Sequence, residues 1–94
     1  PGFLINKIIF KDISYFFYLI EKDKFDKQNI LDVYKSKLNR NDPIRLINVI
    51  GIDTSLAILK NLNNYDKSFY VPQILEQAVS KNILGFKNKK LFKL

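Results

Sequence analysis

Ile50-Gly51-Ile52-Asp53-Thr54-Ser55-Leu56-Ala57-Ile58-Leu59-Lys60-Asn61-Leu62-Asn63-Asn64-Tyr65-Asp66-Lys67-Ser68-Phe69-Tyr70-Val71-Pro72 contains, in order, a helix stop, a capped helix, a polar turn and a short extended run closed by proline. Gly51 ends one apolar-periodic segment, and Asp53, with Thr54 and Ser55 beside it, offers a side-chain oxygen to the orphan N–H groups of the next helix. Leu56, Ile58, Leu59 and Leu62 give that helix its apolar face. Asn63 to Ser68 are residues that tolerate turns, and Phe69-Tyr70-Val71 has strong strand preference. Pro72 cannot donate to a ladder and suits the first turn of a helix. A single strand cannot satisfy its own backbone, so the spacing predicts that Phe69 to Val71 pairs with residues near the N-terminus or with its copy in a second chain.

Outward from this stretch, both flanks read as helical. Ile5, Ile9, Ile13, Phe16 or Phe17, and Ile20 recur at helical spacing and predict a long helix over 3–20. Tyr15 to Ile20 is apolar on nearly every side of such a helix, which predicts burial against more than one neighbour, with Phe16 and Phe17 as anchors of a dimer or partner interface. Asp26 is the N-cap expected for the next helix, with Phe25 stapled onto Ile30, and Ile30, Val33, Tyr34 and Leu38 form its face. Asp42-Pro43 starts a short helix whose predicted buried face is Leu46, Ile47, Val49 and Ile50. After Pro72, Ile74, Leu75, Ala78, Val79 and Ile83 mark another helix, with Gly85 as its C-cap. Asn88 then caps a last helix that has about two turns of sequence before Leu94, too few to be stable alone.

The chain has 94 residues, which sets one domain and a small core burying a little over ~60% of the unfolded surface, so oligomerisation or a larger parent chain is expected. With 47% hydrophobic and 14% aromatic residues it is a folding sequence rather than a disordered one. Cysteine and histidine are both absent, which removes thiolate nucleophiles, imidazole bases and the usual zinc ligand sets from consideration. The nine acids are scattered, and Asp26, Asp42 and Asp53 have capping work available. No phosphate-cradling glycine loop or nucleophile elbow is present. The reading is therefore no catalytic residues, no metal, no cofactor and no enzyme. The longest apolar run, Tyr15 to Ile20, is far short of the ~20 residues that cross a bilayer, so a cytoplasmic protein with no membrane partner is expected.

Of the formal charge of +7, five charges lie in residues 81 to 94, which contain no acid. Lys87, Lys89, Lys90 and Lys93 surround Phe86, Asn88 and Phe92 near the expected helix start, where lysines and free N–H groups can both meet phosphate. Such contacts position a protein on a polyanion without reading sequence.

The segment Ile50 to Leu59 followed by Phe69-Tyr70-Val71-Pro72 resembles the Mor family of phage-Mu-type middle transcription activators, in which a glycine-started helix, a turn and an aromatic-aliphatic-proline strand follow one another. Ile74 through Leu91 is similar to that family's next segment, a helix, a glycine-containing turn and the first helix of a helix-turn-helix. The likeness runs from Leu46 to Leu94 and leaves residues 1 to 40 unmatched. It departs from the family at Asn63-Asn64, where the family has Gly-Gly, and the recognition helix would lie beyond Leu94. The resemblance implies a homodimer with helices intertwined before the strand, a strand paired across the dimer, and double-stranded DNA as partner. Tyr70, Lys87, Asn88, Lys89, Lys90 and Lys93 would face DNA, and Leu46, Ile50, Phe69 and Val71 would join Phe16 and Phe17 in the interface.

The expected architecture is thus a mainly α domain of five or six helices and one short strand, an intertwined dimer with an incomplete helix-turn-helix. Residues 1–71 form the core and dimerisation part and 72–94 the basic helical segment. The leading functional expectation is a DNA-binding transcription regulator or its dimerisation part. The alternative is a protein-interaction module, either a small phage- or plasmid-type inhibitor or a helical accessory domain of a larger enzyme, binding through Phe16, Phe17 and Tyr18.

Overall fold

A computed structural model describes residues 2–94, which form five α-helices. The first, α1 (Gly2–Glu21), is the long helix that the Ile5-to-Ile20 periodicity predicts. Helix α2 (Lys27–Asp32) begins where Asp26 accepts from the Asn29 N–H at 3.0 Å, and it continues as a π-helical turn over Val33–Lys37. Helix α3 (Pro43–Ile50) is capped by Asp42, which accepts from the Ile44 N–H at 2.9 Å, with Pro43 preset in the first turn. Gly51, at φ 107°, ends α3 and leads directly into α4 (Ile52–Tyr65). Helix α5 (Gln73–Ser80) is the last, and a single 3-10 turn over Phe86–Asn88 follows.

The core is built on α1. Phe10, Ile13, Phe16 and Phe17 are buried there against Ile47, Ile52, Leu59, Phe69, Leu75 and Phe92. Phe16 and Phe17 are 0% exposed, so they are interior residues of one chain and not the anchors of a partner interface. Phe69 is buried as well, while Leu46, Ile50 and Val71 are half-buried against the core. The α3 face is rotated from expectation: Val49 is exposed, and Asn48 takes the buried place.

Among the described residues there is no strand, and β pairing is limited to one isolated bridge between Gly85 and Lys90. Phe69 to Val71 is irregular chain, and two helices supply what a partner strand would have given it. Ser14 Oγ on α1 accepts from the Tyr70 N–H at 2.6 Å and donates to the Tyr70 carbonyl at 3.0 Å. Asn63 Nδ2 on α4 donates to the Phe69 carbonyl at 2.7 Å. The Phe69 carbonyl and both Tyr70 backbone groups are thereby satisfied within one subunit, so the cross-subunit strand, and the intertwined dimer built on it, lose their structural reason.

Glu21, the last residue of α1, caps α5 from a distance. Pro72 has no side chain able to cap, and Glu21 accepts from the N–H groups of Gln73 at 3.0 Å and Ile74 at 2.8 Å, and from the Tyr70 hydroxyl. Partial burial, and then the neighbouring carboxylate, push the Tyr70 hydroxyl well above the ordinary tyrosine range. Glu21→Ala should cost about 1–2 kcal/mol, the value of a helix cap, in a urea melt followed by circular dichroism. A loss under about 0.3 kcal/mol would show that water replaces the carboxylate.

Candidate functional site

The basic C-terminal segment is a fastened loop, not the start of a helix. Asn88 does not cap a helix: its Oδ1 accepts from the Leu84 and Lys90 N–H groups and its Nδ2 donates to the Asn82 carbonyl at 2.7 Å. Gly85 is not the C-cap of α5, which ends at Ser80; it bridges to Lys90 and lies against the α3 backbone. Asn48 clasps the chain end, accepting from the Phe92 N–H at 2.8 Å and donating to its carbonyl at 3.0 Å. The helix-turn-helix expectation fails here, because these loop contacts consume the backbone groups a helix needs.

Of the residues grouped as phosphate contacts, Lys87 is engaged within the fold. Its Nζ lies 2.7 Å from Asp53 Oδ1 and 3.2 Å from Thr54 Oγ1. Asp53 therefore sits inside the first turn of α4 as an ion-pair partner, not as its N-cap, and the lysine beside it lowers its pKa. Lys89, Lys90 and Lys93 are exposed on the loop, and the Tyr70 hydroxyl is held by Glu21 at the end of α1.

Two other surfaces carry open apolar area. The first is the N-terminal part of α1, where Phe3, Leu4, Ile5 and Ile8 are 55–63% exposed. Every described residue before Lys7 is exposed, so the first turn stands clear of the domain on all sides. At its base is a hollow of about 420 Å³ lined by Leu4, Lys7, Ile8, Lys11, Asp66 and Phe69. Lys11 lies over the Phe69 ring at 4.4 Å and reaches Ser68 Oγ. The Ser68 hydroxyl and N–H, with Lys11 and Lys7 nearby, hold the Asp66 carboxyl below the usual range.

The second surface is a groove of about 730 Å³ between the C-terminal half of α1 and the α2 region. Arg40 closes one end, its Nη1 lying 2.7 and 2.6 Å from the two Asp12 oxygens. Tyr34 donates from its hydroxyl to the Asp12 carbonyl at 3.3 Å, and burial, then the Asp12 charge, push that hydroxyl up to about 12. Among the described residues no three His, Cys, Asp or Glu side chains gather as a metal-ligand set, and no helix is long and apolar enough to cross a membrane.

The fold of this helical domain, organised on one long apolar helix, is similar to that of solved structures. The chain is similar to the crystal structure of (S)-3-hydroxybutyryl-CoA dehydrogenase PaaH1 from Ralstonia eutropha, with a TM-score of 0.75 and 22% identity over 95% of this chain and 34% of that one. It is also similar to the crystal structure of M. tuberculosis FadB2, with a TM-score of 0.74 and 17% identity over 93% of this chain and 33% of that one. This chain therefore spans about a third of the length of these structures. The model of the family described as 3-hydroxyacyl-CoA dehydrogenase, C-terminal domain, matches residues 2–93, and the chain belongs to that family. No curated protein matches the sequence.

This membership overturns the resemblance to the Mor-type activators, and with it the expectation of a DNA-binding transcription regulator with double-stranded DNA as partner. It also removes the ground for reading the chain as unrelated to enzymes. The misleading signal is physical: a glycine helix stop, a capped helix and a proline-started helix recur in many helical domains, so a resemblance carried by them is weak. The family match includes residues 2–40, which the Mor-type resemblance left out.

Proposed function

We propose that this chain works as the helical C-terminal domain of an enzyme that oxidises 3-hydroxyacyl-CoA thioesters, docking onto the part of the enzyme that carries the redox chemistry. The observation that carries this reading is the family match over residues 2–93. Oxidation of a 3-hydroxyacyl thioester breaks the C3–H and O–H bonds, sending a hydride to an acceptor and a proton to a base, and leaves a ketone. The chain has no histidine, and several of its acids are committed: Asp26 and Asp42 cap helices, Asp12 and Asp53 hold cations, and Glu21 caps α5. Its contribution is then packing and assembly rather than proton or hydride transfer. The uncovered first turns of α1 suit that part, because Phe3, Leu4, Ile5 and Ile8 expose more contiguous apolar surface than a helix end needs for its own domain.

A chimera tests this reading. The last third of the Ralstonia enzyme is replaced by this chain, and oxidation of 3-hydroxybutyryl-CoA is compared with that of the same enzyme truncated before the exchanged part. The expected result is turnover above the truncated form. A chimera that melts cooperatively yet is no more active than the truncated enzyme counts against the proposal.

A further inference from the structure

The groove between α1 and the α2 region lies on the other half of α1 from the exposed first turns, and the proposed docking leaves it unused. We propose that it is a binding site for a long-chain carboxylate, with the alkyl chain against Tyr15, Leu19, Phe25 and Leu38 and the carboxylate on the free edge of Arg40.

Size and shape come first. About 730 Å³ lies within the range of small-molecule sites, which are concave and mostly apolar with a few convergent polar groups. Tyr15, Phe25, Val33 and Leu38 are 45–58% exposed, and all four line this one concavity rather than being scattered singly. Asp12, Tyr15 and Leu19 fall on one stripe of α1, about 10 Å from first to last at the helical rise, and Asp23 extends that wall from the turn after the helix. A trough of that length takes an extended chain.

The opposite wall is built abnormally. Leu38 N–H donates to the Val33 carbonyl at 2.9 Å, an i to i+5 bond that widens the turn, and Arg40 N–H donates to the Tyr34 carbonyl at 2.7 Å. Asn39 between them has φ 52°, a left-handed value uncommon outside glycine. The outcome is that Leu38 and Arg40 both line the groove instead of continuing the helix. Short π segments of this kind recur at functional sites.

Charge fixes the head group and its direction. Arg40 spends Nη1 alone on Asp12, and among the described residues its Nε and Nη2 make no hydrogen bond. That pair of donors is the planar fork that matches a carboxylate. Asp12 is already neutralised by Nη1, whereas Asp23 stands at the far end of the groove. A carboxylate is thus drawn to the Arg40 end and repelled from the Asp23 end, which orients the chain along α1.

The test titrates the 94-residue chain with dodecanoate, dodecanol and dodecyltrimethylammonium below their micelle concentrations, by calorimetry and by amide chemical shifts, with sedimentation run in parallel. Saturable one-to-one binding of dodecanoate is expected, with shifts confined to the groove. Arg40→Gln should weaken dodecanoate about tenfold or more, the scale of a charge-assisted fork, and leave dodecanol unchanged. Leu38→Asp, at an exposed position, should abolish binding while the melting curve stays cooperative. Equal affinity for all three amphiphiles, no saturable binding, or insensitivity to Arg40→Gln each overturns the proposal. So does a concentration-dependent dimer that Leu38→Asp dissociates, because the groove would then belong to a second copy. None of these results depends on dehydrogenase activity, so a failed chimera leaves the site standing and a failed titration leaves the enzyme reading standing.

Discussion

Phe17→Ala should lower the stability of the domain by about 3–5 kcal/mol, the range for truncating a fully buried phenylalanine. The side chain is 0% exposed and meets two other rings edge-on, Phe16 at 5.2 Å and Phe92 at 6.0 Å between centroids. It links the long helix to the end of the chain, so its removal opens a cavity where the fastened C-terminal segment is anchored. A domain of this size has about 5–15 kcal/mol in total, and the variant should be partly unfolded at 37 °C. Urea denaturation followed by circular dichroism measures the loss. If Phe17→Ala retained the wild-type midpoint, Phe17 would be a surface contact after all, and the interface role expected of it from sequence would return.

The second large effect is expected at Gly85. With φ 95° and ψ −150°, Gly85 occupies backbone space that costs any L side chain about 1–3 kcal/mol. An added Cβ would also stand 2.5 Å from the Asn48 carbonyl oxygen and 3.0 Å from its Cα. Both are backbone atoms of α3, which cannot move aside as the tip of a side chain does. Gly85→Ala should therefore cost about 3 kcal/mol or more, with strain and steric displacement acting together. It should also release the clasp, so that the Phe92 amide, buried against Asn48 Oδ1, loses protection in hydrogen exchange. Gly2→Ala is the control: nothing lies within 4 Å of a Cβ there, and the helix gains propensity. A Gly85→Ala variant as stable as Gly2→Ala would refute the close approach.

Much of the helical framework was legible residue by residue. Asp26, Asp42 and Pro43 are short-range signals, and the helix starts they predict stand where expected because the cap and the groups it satisfies are within three residues of each other. The long first helix was equally readable, since apolar spacing reports which face is covered. What covers that face was not readable. Phe16 and Phe17 looked like partner anchors because a helix apolar on several sides exceeds the needs of one neighbour. In the folded chain α2, α3, α4 and the C-terminal end all contribute to the core around α1.

The candidate sites were less legible still. The groove draws on Asp12 from α1 and Arg40 from beyond the π turn, a pairing 28 residues apart that no local pattern announces. Its one sequence trace is the arginine itself, one of only two in the chain. The run of lysines after Gly85 drew the reading toward phosphate, although one of those lysines is tied to Asp53.

The stretch from Ile50 to Pro72 divides these contributions. By itself the sequence determined that Gly51 breaks the chain between two helices, that Leu56, Leu59 and Leu62 face the core, and that Pro72 precedes another helix, because each depends on backbone sterics or on periodicity within one element. Only the tertiary structure decided that Phe69 to Val71 is not a strand. Their strand preference asks for backbone partners, and the preference is satisfied by a serine hydroxyl 56 residues earlier on α1 and an asparagine amide on α4. Hydrogen-bond demand is written locally, but the group that answers it is fixed by packing.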